Sequence, residues 1–410
     1  MIRDNYLNIK TLIKNRKIMR LFKVVTKHGG VLRFVGGAVR DALKGIEGSD
    51  LDFATDLSPD ELVEACNEEG LKTIAIGIKY GTVGVIIDEQ ILEITSLRKD
   101  IKTDGRHAEV DFTENWEADA SRRDLTINAV YADENGNVFD YYNGIEDLES
   151  GKVKFIGSAD KRIKEDFLRI LRFFRFYSMF GIGEPDKKAL KACAENNENL
   201  KTLPMERIRE ELFKLLLTPQ AVKTIKVMQD NNILSYVMPD GRFLENLDYM
   251  KKLFNGKDLA SKHLLYLFIL YQPDEAMAEN MAVRLKFSKK EKQKFLKWAT
   301  ININLKDFTN KNLLKLLAYE HGKDFCLEQF LLSAARSQET LPDFWNLYEQ
   351  IENMEVPIFP IKGKDLLQEG LVSEQIGKRL KYLEQKWLES DFTLNKDELL
   401  QPSLNKVSGE

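Results

Sequence analysis

Two aspartates and a pair of glycines near the start of the chain have types and spacing that suit binding of a metal ion and a phosphate. Gly37 follows another glycine and precedes Arg40, so the backbone can approach a phosphate group closely where a helix begins. Asp50 and Asp52 alternate with apolar residues, as on a half-buried strand, and therefore share one face. Two adjacent carboxylates suit Mg²⁺, which activates an attacking hydroxyl and neutralises a leaving pyrophosphate. The pattern predicts nucleotidyl transfer; an exposed strand end with solvated acids is the alternative.

A second charged group precedes an apolar stretch in the middle of the first half of the chain. It consists of Arg122, Arg123 and Asp124. Guanidinium groups donate to phosphate or ribose oxygens, and Asp124 can accept a hydrogen bond from a ribose hydroxyl, which would favour ribonucleotides. Taken alone, the same triplet also suits a charged surface.

Charged residues recur at every third position of a predicted helix. They run from Asp166 through Arg169 and Arg172 to Arg175, and Glu165 comes directly before them. One interpretation is an amphipathic helix with ion pairs between its own side chains. The other is base recognition, in which Asp166 accepts from an exocyclic amino group while Arg169 donates to a ring nitrogen or carbonyl. Cytosine and adenine share an amino group beside an acceptor nitrogen, so one pair of side chains would accept CTP and ATP and reject GTP and UTP.

The composition is that of a globular protein of two to four domains. The chain has 410 residues, of which 43% are hydrophobic and 31% charged, and its net charge is −4. Any surface for RNA must therefore come from local clustering of basic residues. The three cysteines lie far apart and form neither a metal spacing nor an even disulfide set, which fits a reducing compartment. No apolar stretch approaches the length of a membrane span, and we expect a cytoplasmic protein.

The first 28 residues carry eight basic side chains and one acidic side chain. A basic amphipathic start suits an organelle transit segment. An ordinary first helix is favoured, because the apolar pattern continues up to the glycine pair.

The sequence pattern changes near residue 155. Before that point, a helix over residues 58–70 and β-rich runs at 72–78, 82–87, 91–97, 127–131 and 138–141 predict an α/β domain on a small mixed sheet. From about residue 160 the pattern is almost entirely helical, with breaks at prolines.

Together these residues resemble the class II CCA-adding tRNA nucleotidyltransferases, within the polymerase-β-like superfamily. Residues 36–41 with Asp50 and Asp52 match the motif that binds triphosphate and Mg²⁺ in that family. Residues 122–124 match the ribose-selecting motif, and residues 165–169 match the motif that acts as a protein template for the incoming base.

The resemblance implies addition of C, C and A to the tRNA 3′ end, from CTP and ATP, with Mg²⁺ and release of pyrophosphate. It implies a catalytic head at 1–155, a helical neck with the base-recognition helix at 156–218, and a helical body and tail at 219–410 that binds tRNA. Residues 98–110 are similar to the family's flexible loop, which is needed for the final adenosine; a plain surface loop is the alternative.

Other functions stay open at this point. Bacterial poly(A) polymerases share the head motifs, and enzymes that add only CC or only A belong to the same group. A non-catalytic nucleotide or RNA-binding module is disfavoured by the intact aspartate pair. Glu93 is a candidate third carboxylate or an ordinary edge acid, and the basic residues of 283–297 form either a phosphate-binding stripe or a solvated helix face.

Overall fold

The computed structural model describes residues 16–46, 51–104, 107–239, 241–254, 259, 261–367 and 373–401. Backbone contacts divide the chain into two compact units, Met1–Gly241 and Arg242–Glu410. The first unit combines a sheet with helices, and the second has only helices as regular elements among its described residues. The predicted α/β head with a mixed sheet, followed by helical neck, body and tail, is confirmed. The divisions at residues 155 and 218 stay predictions.

The first unit begins with alternating helices and strands and ends in helices. Its elements are α1 (Arg16–Lys27), β1 (Leu32–Val35), α2 (Gly37–Leu43), β2 (Asp52–Thr55), α3 (Pro59–Glu68), β3 (Lys72–Gly77), β4 (Thr82–Ile87), β5 (Gln90–Ser96), β6 (Arg98–Asp104), β7 (His107–Phe112), α4 (Trp116–Ser121), β8 (Val130–Ala132), β9 (Val138–Asp140), α5 (Gly144–Glu149), α6 (Ala159–Glu165), α7 (Leu168–Phe180), α8 (Lys187–Asn196), α9 (Met205–Leu217) and α10 (Ala221–Asp230). Short 3₁₀ turns lie at Ile78–Tyr80, Thr126–Asn128 and Asn197–Thr202.

Seven strands form one sheet in the order β3-β4-β5-β2-β1-β8-β9. Neighbours are antiparallel except β2 and β5, which are parallel. On one face of the sheet, every second residue of the strands is buried in a core with α1 and α3. Examples are Phe34, Phe53, Val85 and Ile94. The opposite face carries Asp52, so the strand pattern that buries one face presents the carboxylate on the other.

The first helix is an ordinary folded element, as the sequence favoured. In α1, Ile18, Leu21, Phe22 and Val25 recur at helical spacing and are buried in the core of the sheet. Residues 1–15 lie outside the described part of the chain. No helix among the described residues is both long enough and apolar enough to cross a bilayer.

Two segments differ from their predicted structure. Residues 98–110 were predicted to be a loop, but β6 and β7 form a separate antiparallel ribbon in which Arg98 is opposite Phe112. The predicted strand at 127–131 begins with a 3₁₀ turn, because the Asn128 side chain bonds Asp124 instead of pointing away on a strand. The helix predicted at 58–70 is confirmed as α3, with a capping box between Ser58 and Glu61.

The described part of the second unit is built from helices around an aromatic core. Phe268, Phe295 and Trp298 are buried and contact one another edge to face or tilted. The helices are α11 (Leu244–Leu253), α12 (Lys262–Tyr271), α13 (Glu275–Arg284), α14 (Lys289–Thr300), α15 (Lys311–His321), α16 (Lys323–Ser337), α17 (Phe344–Asn353), α18 (Gly363–Leu366), α19 (Ser373–Glu389) and α20 (Lys396–Leu400), with a 3₁₀ turn at Leu305–Thr309.

Gly144 is expected to tolerate no side chain. A Cβ there would lie 2.2 Å from the carbonyl oxygen of Thr126 and 2.9 Å from Val130. We expect Gly144→Ala to destabilise the first unit by about 2 kcal/mol, because the backbone must shift. Gly377→Ala is the control: nothing lies within 4 Å of its added Cβ in α19, so it should stabilise its helix by about 0.5–1 kcal/mol. Scanning calorimetry of both variants checks this; equal shifts in Tm would contradict it.

Candidate active site

One cavity of about 580 Å³ in the first unit gathers most of the predicted site residues. It is lined by Gly36, Gly37, Arg40, Asp52, Arg122, Arg123, Asp124, Asn128, Asp166, Arg169, Arg172, Arg175, Phe176 and Lys214. Of the other predicted residues, Glu165 contacts Arg169 without lining the cavity. Asp50 lies outside the described residues. The lining has seven basic and three acidic side chains, an excess that suits a polyanion.

The glycine turn between β1 and α2 forms one wall of the cavity. Gly36 has a φ of +64°, the left-handed conformation that favours glycine. Four residues later, Arg40 is buried, and its Nη1 donates to Asn128 Oδ1 at 2.5 Å. Its Nε and Nη2 donate to Asp41 at 2.8 and 2.9 Å. The turn therefore brings backbone close to the cavity while the arginine is held at a fixed position.

Asp119 holds two of the predicted arginines in place. Its carboxylate is 1% exposed and accepts from Arg122 Nε at 2.8 Å and Arg123 Nη2 at 3.1 Å. The Tyr131 hydroxyl donates to it at 2.8 Å, and the backbone NH of Arg98, at the start of β6, donates at 3.4 Å. Burial alone would raise the pKa of Asp119, but both guanidinium groups and the hydroxyl lower it to about 2.

Asp124 is buried and bonded on both oxygens. Oδ1 accepts from the backbone NH of Leu125 at 2.9 Å and from Asn128 Nδ2 at 3.0 Å, and Oδ2 accepts from Arg172 Nε at 2.7 Å. Burial would raise the pKa of this carboxyl, but Arg172 and Asn128 hold it well below its ordinary value. Asp124 is thus ionised, and the described contacts leave acceptor capacity on Oδ2.

The charged row that continues into α7 differs from the first interpretation, in which its side chains pair within one helix. Only Arg169 has an ion pair at helical spacing, with Glu165. Arg172 bonds Asp124 from the segment before β8, and Arg175 Nε donates to Glu211 Oε2 on α9 at 2.6 Å. The row therefore joins separate elements around the cavity rather than pairing within one helix.

The predicted base-recognition residues both line the cavity, and the described contacts between them are through the backbone, where the NH of Arg169 donates to the carbonyl oxygen of Asp166 at 3.0 Å. Asp166 accepts from Arg207 Nη2 at 2.8 Å and Nη1 at 3.3 Å. Arg169 Nη1 donates to the carbonyl oxygen of Arg162 at 2.9 Å and also bonds Glu165. Each member of the pair is thus oriented by its own partner, from α9 and α6 respectively.

The start of β2 places Asp52 beside another carboxylate. Asp52 and Glu93 are register partners on the parallel strands β2 and β5, and both are exposed. Register partners point to the same face of a sheet. In the described part of the chain, no group of three or more His, Cys, Asp or Glu side chains is arranged to hold a metal ion.

Several residues of the site have no role in the sequence analysis. They are Asp119, Asn128, Phe176, Arg207, Glu211 and Lys214. A signal existed for Asn128, which lies four residues after Asp124 next to the arginine motif. Asp119 lies three and four residues before Arg122 and Arg123, a spacing at which helical ion pairs form. Arg207 and Glu211 bond residues 41 and 36 positions away, so only the fold reveals these contacts.

The sequence matches two family models. Residues 32–154 match the model described as Poly A polymerase head domain. Residues 184–244 match the one described as the probable RNA and SrmB-binding site of polymerase A.

Related proteins match nearly the whole chain. CCA tRNA nucleotidyltransferase 1, mitochondrial, of Homo sapiens is 36% identical over 93% of this chain and 88% of its own. The chain belongs to the CCA-adding tRNA nucleotidyltransferase family. The CCA-adding enzyme of Staphylococcus haemolyticus is 30% identical over 93% of this chain and 95% of its own. The resemblance inferred from the motifs is confirmed.

Solved structures of CCA-adding enzymes share the fold. The Bacillus stearothermophilus CCA-adding enzyme in complex with CTP has a TM-score of 0.75 and 24% identity, covering 92% of this chain and 93% of that one. The Thermotoga maritima CCA-adding enzyme complexed with tRNA has a TM-score of 0.64 and 19% identity, covering 97% of both chains.

Arg40, Arg122 and Arg123 are among the residues that line the cavity, and we name these three the arginine wall. Replacing Asp119 should weaken it. Asp119→Asn leaves Arg122 and Arg123 with a neutral partner, and we expect a loss of about 2–4 kcal/mol in local stability. Because the folded pKa is lowered, this carboxylate contributes stability above about pH 4, which is lost as the pH falls towards 2. That part of the acid destabilisation should be absent from the variant. Hydrogen exchange of peptides from residues 113–132 measures this local stability in the variant and in the unmodified protein.

Glu117→Gln, an exposed neighbour in α4, is the control for Asp119→Asn. Its exchange should equal that of the unmodified protein. Equal protection in both variants would contradict the anchoring role of Asp119.

Proposed function

We propose that this protein adds C, C and A in turn to the 3′ end of tRNA, using CTP and ATP and releasing pyrophosphate. The observation that carries the proposal is the single cavity in which seven cations, Asp52 and the pair Asp166 and Arg169 converge. The terminal 3′-hydroxyl attacks the α-phosphate in line, and the bond to the pyrophosphate breaks. Membership of the family supports this assignment.

In this proposal, the arginine wall acts on the triphosphate and the ribose. Arg40, Arg122 and Arg123 line the cavity where the glycine turn allows close approach. Fixed guanidinium groups offset the charge that develops on the leaving pyrophosphate, and they need little reorganisation because their partners already hold them. Asp124 accepts from a ribose hydroxyl through its remaining acceptor site.

The carboxylates at the start of β2 fit a divalent ion such as Mg²⁺. Asp52 and Glu93 offer exposed oxygen donors side by side on one face, and Asp50 is a further ligand in the proposal. A bound ion would lower the pKa of the attacking hydroxyl and neutralise charge on the phosphates.

Base choice is assigned to Asp166 and Arg169. Asp166 accepts from the amino group of cytosine or adenine, while Arg169 donates to the neighbouring ring nitrogen. Arg207 and Glu165 set the orientation of these two side chains. One pocket therefore serves two nucleotides without a nucleic-acid template.

The second unit is proposed to bind tRNA. Within residues 283–297, Lys292 pairs with Glu279, Lys294 with Glu328, and Lys297 donates to the carbonyl oxygen of His321. Phosphate contacts are therefore assigned to Lys289 and Lys290 at the start of α14, which are exposed.

A cytoplasmic location is part of the proposal. The three cysteines, Cys66, Cys193 and Cys326, are free and buried, as in proteins of reducing compartments. Imaging of a carboxyl-terminal fluorescent fusion against organelle markers tests it.

The proposed activity is tested with purified protein, Mg²⁺ and a tRNA that lacks its last three nucleotides. CTP alone should add two nucleotides, ATP alone none, and both together three. Addition that stops after two with both present would indicate a CC-adding enzyme, and a long ladder with ATP a poly(A) polymerase. Absence of any extension or pyrophosphate would contradict enzymatic function.

Replacing Asp52 should abolish every addition. Asp52→Asn removes the charge of a proposed metal ligand, so transfer of C and A should both fall by at least about a thousandfold. Asp56→Asn, in the turn after β2, serves as the control and should retain activity. Product sizing in single turnover measures both; comparable activity of D52N and the unmodified protein would refute the assignment.

Changing Asp166 should relax base choice while transfer continues. In Asp166→Asn the side chain can donate as well as accept, so it can bond the carbonyl of uracil. We expect the preference for CTP over UTP to fall by about tenfold or more. Asp160→Asn on the neighbouring helix α6 is the control. The ratio of kcat/KM for CTP to kcat/KM for UTP measures this preference in both variants. An equal loss of all transfer would argue against a template role.

A further inference from the structure

An apolar surface lies on the open face of the sheet, outside the cavity. Its members are Ile74 and Ile76 on β3, Ile86 on β4 and Ile91 on β5, and we name these four residues the isoleucine shelf. Ile74, Ile76 and Ile91 are 36%, 44% and 50% exposed. Strand residues of this size are usually covered, and the other face of the same strands is buried in the core.

The strand register places the shelf beside the proposed catalytic carboxylates. Asp52, Glu93, Gly84 and Ile74 are successive register partners across β2, β5, β4 and β3, so all four occupy one row of the same face. Three strand spacings separate Asp52 from Ile74, a distance of about 14 Å. That span accommodates a few nucleotides of a single strand.

At the centre of the shelf, Gly84 has no side chain, which leaves room for its neighbours. A Cβ there would lie 2.6 Å from Ile76 Cδ1 and 2.7 Å from Ile74 Cγ1, so both side chains extend across this glycine. Lys72, two residues before Ile74 on the same face, is exposed and pairs in register with Ile86. An apolar surface with a cation at its edge is complementary to stacked bases on a phosphate backbone.

The positions of the cavity and the shelf favour one occupant. The cavity takes its wall from the glycine turn after β1 and the segment before β8, on one side of β2, whereas β5, β4 and β3 extend on the other side. When an incoming nucleotide occupies the cavity, the shelf side of Asp52 is therefore available to the RNA that provides the hydroxyl.

We propose that the isoleucine shelf binds the unpaired 3′ end of the acceptor RNA, with its base faces on the isoleucines and a phosphate at Lys72. This inference rests on the proposed function, since it assumes that an RNA 3′-hydroxyl reaches Asp52. It assigns a positioning role to residues that lie outside the nucleotide cavity.

The test is the double variant Ile74→Thr and Ile76→Thr, which keeps β-branched side chains but removes apolar contact. The KM for the truncated tRNA should rise roughly five- to tenfold. The KM for CTP and the kcat at saturating tRNA should stay unchanged. Val31→Thr, a residue of 41% exposure before β1, is the matched control. Ile91→Thr on β5 tests the shelf independently if the double variant folds poorly.

Binding without turnover separates this inference from the proposed activity. Fluorescence anisotropy compares a labelled RNA stem carrying a three-nucleotide 3′ overhang with the same stem whose overhang lacks bases. The unmodified protein should prefer the overhang with bases, and the double variant should lose that preference. An unchanged preference, or an unchanged KM for tRNA, would overturn the inference. Loss of final A addition at an unchanged KM would also overturn it and would identify the shelf as a seat for the β6–β7 ribbon.

Discussion

Positive charge confined to one cavity is the constraint on which the first unit depends. Seven basic side chains line it against three acidic ones, and their mutual repulsion must be offset by the fold. Asp119, Glu165 and Glu211 provide that offset from behind the lining, where each bonds one or two guanidinium groups. The remaining positive potential is stabilised best when a polyanion enters, so the charge balance that permits folding also prepares the cavity for its ligand.

The helix α7 organises this balance along one row of side chains. Arg172 bonds the segment before β8, and Arg175 bonds α9. Asp166, two residues before the start of α7, bonds Arg207 of α9. These contacts join α7 and the residues before it to two other elements, the segment before β8 and α9, so a shift of α7 would disturb several walls of the cavity together. The residues proposed for base recognition, ribose contact and phosphate contact are therefore mechanically linked, although they lie far apart in sequence.

Local patterns predicted much of this arrangement. Alternation predicted β2, β4 and β5, and cap residues predicted α3, because period and capping are local properties. The charged triplet at residues 122–124 and the charged row from Asp166 to Arg175 predicted seven of the fourteen lining residues. Asp119 was not predicted, although it precedes Arg122 and Arg123 by three and four residues, because the same spacing is common on solvated helix surfaces. Its bond from Tyr131, twelve residues away, is visible only in the fold. The ribbon β6–β7 was not predicted, because its polar residues are equally typical of a loop.

The single parallel pair of strands has a consequence for how the protein is made. Asp52 and Glu93 meet only after the chain has travelled through α3, β3 and β4, about 40 residues in all, whereas the hairpin β4–β5 closes locally. Closing so long a segment costs more conformational entropy than closing a hairpin. The two carboxylates therefore come together only once β2 and β5 have both been synthesised and paired, and a shorter nascent chain cannot bring these two proposed metal ligands side by side.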